Sequence, residues 1–207
     1  MRRLLSITLI SCVFLVPAQV RKIKQNKSQI NNRKITNYSN EAYNKYLGYE
    51  DVNVTTGDLG CTNVIQKYDN SIDTNLLVKN NGDLDLVVKL IDINTDVAIR
   101  MVYINKGSSY NIQNIPQGRY YIKEAHGRQW KQRKLVDQCI GEFSENANYR
   151  RSKNIVDFNI KRHVDGNREV ISMPSYTLEL GMRIVFGRKS DNSKYNTNNI
   201  SSVEFNK

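Results

Sequence analysis

From Cys61 onward the chain alternates short apolar stretches with turn residues at a spacing that fits strands and not helices. Leu76 to Val78 runs into Asn80-Asn81-Gly82-Asp83, a hairpin-type turn, and Leu84 to Ile93 follows with Leu86, Val88 and Leu90 on one face. Asn94-Thr95-Asp96 turns into Ala98 to Ile104, and Lys106-Gly107-Ser108 turns into Tyr110 to Ile112. Pro116-Gln117-Gly118 then leads to Tyr120 to Ala125, with a separate strand expected over Trp130 to Leu135. Beyond Cys139, Val156, Phe158 and Ile160 alternate with Asp157 and Asn159, and Tyr176, Leu178 and Leu180 alternate with Thr177 and Glu179. Period-two alternation of this kind is the pattern of half-buried strands. The expected fold is all-β: a two-sheet antiparallel sandwich of about seven or eight strands. Leu86, Val88, Tyr120, Ile122, Val156 and Phe158 are expected to share its core.

Outside that region the pattern fails in two different ways. Arg2 and Arg3 precede an apolar run from Leu4 to Val16, followed by Pro17 and Ala18. A run of that length with a charged start and a small-residue end reads as an export signal over 1–18, cleaved before Gln19. Leu9-Ile10-Ser11-Cys12 also resembles a bacterial lipobox, in which case Cys12 anchors the chain to lipid. From Gln19 to Gly60 the chain is polar, rich in Asn, Lys and Tyr, and too poor in spaced apolar residues for a core. It is expected to be a disordered basic linker over 19–60, followed by the sandwich over 61–182 and a loose tail over 183–207. Within the tail, Ile200, Val203 and Phe205 are the positions with which it would dock as a terminal strand.

Export changes how the cysteines are read. With Cys12 removed by cleavage, Cys61 and Cys139 remain as a pair, and in an oxidising compartment such a pair is expected to be bonded. No cysteine and histidine spacing supplies a zinc ligand set, so neither a metal nor a cofactor is expected.

The turn at Ile115-Pro116-Gln117-Gly118-Arg119-Tyr120 carries the one resemblance to known proteins. Ile-Pro-x-Gly-x-Tyr resembles the transthyretin-like or carboxypeptidase-regulatory-like β-sandwiches, in which the proline and glycine make the turn and the tyrosine opens the next inward-facing strand. The stretch from Val102 through Trp130 to Phe143 looks, more closely, like exported bacterial β-domains of no assigned activity. The resemblance implies a topology and is nearly silent on function.

The formal net charge of +11 points to anionic contacts. Arg21, Lys22, Lys24, Lys27, Arg33 and Lys34 lie in the linker without an intervening acid, which suits contact with an anionic surface. Export argues against a specific nucleic-acid target. Catalysis finds little support: His126 and His163 are both read as loop residues beside cations with no identified supporting acid, and no Gly-x-Ser-x-Gly elbow or phosphate-binding glycine loop occurs. No catalytic residue is assigned. Tyr121, Lys123, His126, Arg128, Trp130 and Lys131 form the candidate binding surface, an aromatic and basic cluster with Tyr121 and Lys123 expected on the more exposed face. The expected function is that of an exported, non-enzymatic β-sandwich module, periplasmic or extracellular, that binds an envelope protein or glycan or gives structural support. The alternatives are a small envelope enzyme built around a histidine loop and a polyanion-binding protein using the linker.

Overall fold

A computed structural model describes residues 45–185, 188–191 and 196–207. The chain divides into two units, Met1–Lys45 and Tyr46–Lys207, and every element named below belongs to the second. The export signal, the lipobox cysteine and the linker up to residue 44 lie outside the described residues.

The fold is all-β, with thirteen strands and one short helix among the described residues. In chain order the first seven strands are β1 (Glu50–Asp51), β2 (Asn75–Asn80), β3 (Asp85–Asp92), β4 (Ala98–Ile104), β5 (Ser109–Gln113), β6 (Arg119–Lys134) and β7 (Cys139–Asp157). They are followed by β8 (Lys161–Asp165), β9 (Arg168–Ser172), β10 (Ser175–Leu180), β11 (Met182–Val185), β12 (Arg188–Asp191), β13 (Thr197–Asn199) and helix α1 (Ser202–Asn206). A six-stranded sheet has the order β13-β7-β6-β3-β4, with β1 paired to the far end of β6, and a three-stranded sheet has the order β10-β2-β5. The hairpins β8-β9 and β11-β12 make two small sheets of their own.

The alternation read from the sequence places the core between the two large sheets. Leu86, Val88, Tyr120, Ile122, Val156 and Phe158 all belong to one buried cluster, joined there by Leu76 and Val78 of β2, Ile112 of β5, and Leu178 and Leu180 of β10. The Pro116-Gln117-Gly118 turn is closed by its own tyrosine, whose hydroxyl donates to the Pro116 carbonyl at 2.9 Å. Gly118 has φ of 152°, and a Cβ on it would lie 2.9 Å from that hydroxyl oxygen.

Four features depart from the expected sandwich. The first is a parallel pair: β10 runs parallel to β2, with Tyr176 opposite Leu76 and Leu178 opposite Val78. The chain leaves β7 through the β8-β9 hairpin before reaching β10, and that excursion returns it in the direction of β2 and not against it.

The second departure is that β6 does not stop at His126-Gly127. It runs on to Lys134, 16 residues in all, because Gly127 marks a close approach and not a loop. A Cβ on Gly127 would meet Phe143 Cβ at 2.3 Å, so its absence lets β6 pass tightly beside β7. The register shifts between His126 and Arg128, and Gln129 takes a positive φ of 54°. Such a bulge changes which parity of residue points inward. Ala125 and Trp130, five positions apart in the sequence, consequently face the same buried cluster.

That cluster is the third departure, because the large sheet is covered on both faces. Val87, Met101, Tyr103, Ala125, Trp130, Phe143 and Tyr149 form a second core with Val54 and Phe205. Residues 45–60 are therefore not linker. Asp51 pairs with Lys131, Val54 is buried, and the following stretch guards the edge of β4 through Gly57 N–H to the Tyr103 carbonyl and Lys67 N–H to the Ile99 carbonyl. Covering an edge strand in this way removes a template for unwanted pairing.

The tail is the fourth. Ile200 and Phe205 do dock, but Phe205 does so on helix α1, with its side chain fully buried against Tyr149. Ser201 caps that helix by accepting from the Glu204 N–H at 3.1 Å.

Cys61 and Cys139 are joined as a disulfide with their Cα atoms 5.8 Å apart. The bond ties the covering segment to the first residue of β7, and Gln132 reinforces it by accepting from the Cys61 N–H at 3.0 Å and donating to the Cys61 carbonyl at 3.1 Å.

Candidate functional site

The six residues of the expected binding surface do not form one surface. Trp130 is buried in the second core, its ring 4.8 Å from that of Phe143. Lys131 pairs with Asp51 at the edge formed by β1. Arg128 is exposed beside a shallow depression with Gly82, Asp83, Lys106 and Gly107. Tyr121 and Lys123, expected on the open face, are buried beneath the covering layer of the large sheet, and His126 has no exposed surface. The expectation failed because it assumed one solvated face, and this sheet has two packed ones.

His126 is a strand residue on the face of Leu86, its cross-strand partner. Glu124, two positions earlier, points the same way and sits opposite Arg150 of β7. His126 Nε2 lies 3.4 Å from Glu124 Oε2, Arg150 Nε lies 2.6 Å from Glu124 Oε1, and an Arg150 amino group is 3.1 Å from His126 Nε2. A supporting acid for His126 therefore exists, contrary to the sequence reading. Its signal was the i, i+2 spacing of Glu124 and His126, which puts both on one side of a strand. The set has the components of acid-base chemistry, but Glu124 is 1% exposed, His126 0% and Arg150 3%. A general base must reach the proton that it removes, and these groups are sealed under the sandwich.

The other face carries two lysines side by side. Lys89 and Lys123 are cross-strand partners, and both reach the end of α1: Lys89 Nζ donates to the Phe205 carbonyl at 2.7 Å and Lys123 Nζ to the Glu204 carbonyl at 2.9 Å. Cations at a helix C-terminus satisfy carbonyls that have no partner within the helix. Burial, and then the neighbouring Lys123, hold the Lys89 ammonium down to about 8 from 10.5. Below about 8 Lys89 is charged in both folded and unfolded chains and the penalty is present in full. Between pH 8 and 10.5 the unfolded chain binds more protons than the folded one, so stability rises with pH. Tyrosines oppose this at higher pH: burial, and then Asp92, raise Tyr120 to about 12 from 10.0, so the unfolded chain loses its phenolic protons first above pH 10. Urea midpoints are expected to be higher at pH 9.5 than at pH 7.5 in the native chain, with the difference reduced in Lys89→Met. An equal difference in that variant would assign the effect elsewhere.

An open cleft on this face lies beside Tyr121. Ile93, Asp96, Arg151, Lys153, Ile155 and Asn198 line it, with Tyr121 at its floor. The Arg151 guanidinium lies 4.0 Å above the Tyr121 ring, a cation-π arrangement, and the Tyr121 hydroxyl donates to Asp96. Burial and the Asp96 hydrogen bond both raise the Tyr121 hydroxyl above its usual range, which keeps it protonated as that donor. Asp96 is thus engaged with Tyr121, while Arg151, Lys153 and the apolar Ile155 are exposed at the rim. Arg151 and Lys153 carry no local signal in the sequence, since the strand that sets them beside Tyr121 is too polar to announce itself. Among the described residues no group of three or more His, Cys, Asp or Glu side chains gathers in a way that could hold a metal.

Comparison of the chain with family models, curated proteins and solved structures finds no match. The transthyretin-like resemblance rests on the turn at 115–120 alone.

Proposed function

We propose that this chain is an exported, non-catalytic binding module of the cell envelope, and that its cleft beside Tyr121 receives an acidic segment of a protein partner. One contrast carries the reading: His126 and Glu124 are sealed away, while a guanidinium held on an aromatic ring, a lysine and an apolar side chain stand at an open cleft. Arginine and aromatic residues around an apolar contact are the composition of interface hot spots. An acidic partner matches the charge of Arg151 and Lys153, and Ile155, 47% exposed, supplies the apolar contact. Cleft residues on strands of a sheet covered on both faces are positioned by packing that binding need not disturb.

A glutamate-rich peptide with a fluorescent label serves as a defined probe. The native chain is expected to bind it with an affinity that falls steeply with salt. Reversing both charges in Arg151→Glu with Lys153→Glu is expected to weaken binding by about a hundredfold, in line with the loss of a few kcal/mol of charge pairing. Because Arg151 also rests on the Tyr121 ring, the melting temperature of the reversed chain is measured alongside, and the loss of binding is read on folded protein. Equal binding by the native and reversed chains would remove this cleft as the site.

A further inference from the structure

The opposite edge of the sandwich holds a buried cation with no carboxylate paired to it among the described residues. Arg100 of β4 is 3% exposed, and its guanidinium crosses to the end of β5, where Nη2 donates to the carbonyls of Gln113 at 2.8 Å and Asn114 at 3.2 Å. The Tyr68 ring stacks on its outer side, 3.4 Å from Cζ to the ring centroid. The titratable groups that act on Arg100 are Tyr68, Tyr110 and Tyr120, none of them a carboxylate. A guanidinium stays charged at any ordinary pH, and a buried charge without a counter-ion is costly.

Next to it lies a cavity of about 70 Å³, lined in part by Arg100, Gln66, Tyr68 and Tyr110. That is room for more than one water-sized molecule. Arg100 Nη1 and Gln66 Nε2 are both buried and have no hydrogen-bond partner among the described residues. Both are donors, and both belong to residues lining the same cavity. An occupant that accepts from the two and carries negative charge would satisfy the donors and neutralise the guanidinium together. A neutral water does only the first.

We propose that this cavity is a binding site for a small monovalent anion, a halide or a short-chain carboxylate, held by Arg100 Nη1 and Gln66 Nε2. Tyr68, 60% exposed, forms the outer wall through which the anion would pass. The site is separate from the Tyr121 cleft and does not depend on the function proposed for it.

The test uses the full chain at constant ionic strength, with gluconate, too large for the cavity, as the background anion. Replacing gluconate by bromide or by acetate is expected to raise the melting temperature saturably, by ~4 °C at about ten times the dissociation constant of the preferred ion. The two arms decide between a halide and a carboxylate. Gln66→Leu is expected to weaken the preferred ion about tenfold, and Arg100→Met to abolish the response. Where Arg100→Met fails to fold, Gln66→Leu and the position of bromide in crystals of the native chain decide: anomalous density within hydrogen-bond distance of Arg100 Nη1 supports the site. A response that saturates with neither ion, or a cavity holding only water in crystals grown in the preferred ion, overturns it.

Discussion

Replacing Cys61 and Cys139 with serine is expected to lower the free energy of unfolding by about 4.5 kcal/mol in the chain-entropy description of cross-links. The two cysteines are 78 positions apart, so the bond closes a loop that contains β2 to β6 and restricts the unfolded chain over much of the domain. The effect has a folded-state side as well. Cys61 belongs to the segment that lays Val54, Leu59 and Val64 over the second core, and Cys139 opens the strand that supplies Phe143 to that core. Without the bond the segment is held by shorter-range contacts such as Gln132 to the Cys61 backbone. Urea unfolding of the native chain with and without reductant, alongside the double serine variant, measures both parts. The reduced chain and the variant should agree, and Trp130 emission should shift toward that of an exposed indole earlier in the transition than the rest of the fold is lost. Unchanged midpoints under complete reduction would show that the bond adds nothing to this domain.

Glu124→Ala is expected to cost ~3–5 kcal/mol, a range typical of breaking a buried ion pair by removing one partner. The carboxylate faces both Arg150 Nε and His126 Nε2, and none of the three side chains reaches solvent to an appreciable extent. Its loss takes away the negative charge around which two nitrogen-bearing groups are packed, and no solvent is at hand to replace it. A double-mutant cycle with Arg150→Met isolates the pair: the double change should cost well under the sum of the single ones. Additive losses would mean that the carboxylate acts mainly through other partners. The cluster also explains why His126 is better read as architecture, since Glu124 and Arg150 fix it in the wall between β6 and β7, whereas His163, read from the sequence as a loop residue, is an exposed residue of strand β8.

How much of this was legible depended on whether a single strand's own pattern carried the information. Leu86, Val88, Tyr120, Ile122, Val156 and Phe158 alternate with polar or differently directed residues, and they do meet in one core. Leu86 to Ile91 is apolar but for one residue, which signals burial on both faces, yet that residue, Lys89, disguises the second face. What covers that face comes from residues 46–66 and 200–206, two stretches too polar to declare themselves. Ser201 and Glu204, at the spacing of a capping box, were the available sign that the tail ends in a helix. The candidate surface failed on a finer point. Reading Tyr121, Lys123, His126, Arg128, Trp130 and Lys131 as one patch requires a regular strand or loop, and a bulge at Gly127 reassigns every residue after it. Arg151 and Lys153 reach Tyr121 only through the pairing of β7 with β6, a long-range relation that local periodicity does not encode.

On the function proposed above, the domain acts by capture at the Tyr121 cleft and not by turnover. Placing a photo-crosslinking amino acid at Ile155, on the exposed rim of that cleft, and irradiating cells that make the protein tests it most directly. A discrete adduct with an acidic envelope protein is expected, lost when Arg151 and Lys153 are both changed to glutamate and retained when Arg128, outside the cleft, is changed to glutamate. An adduct that persists through the Arg151 and Lys153 reversal, or no adduct from Ile155 while a crosslinker beside Arg128 gives one, would contradict it.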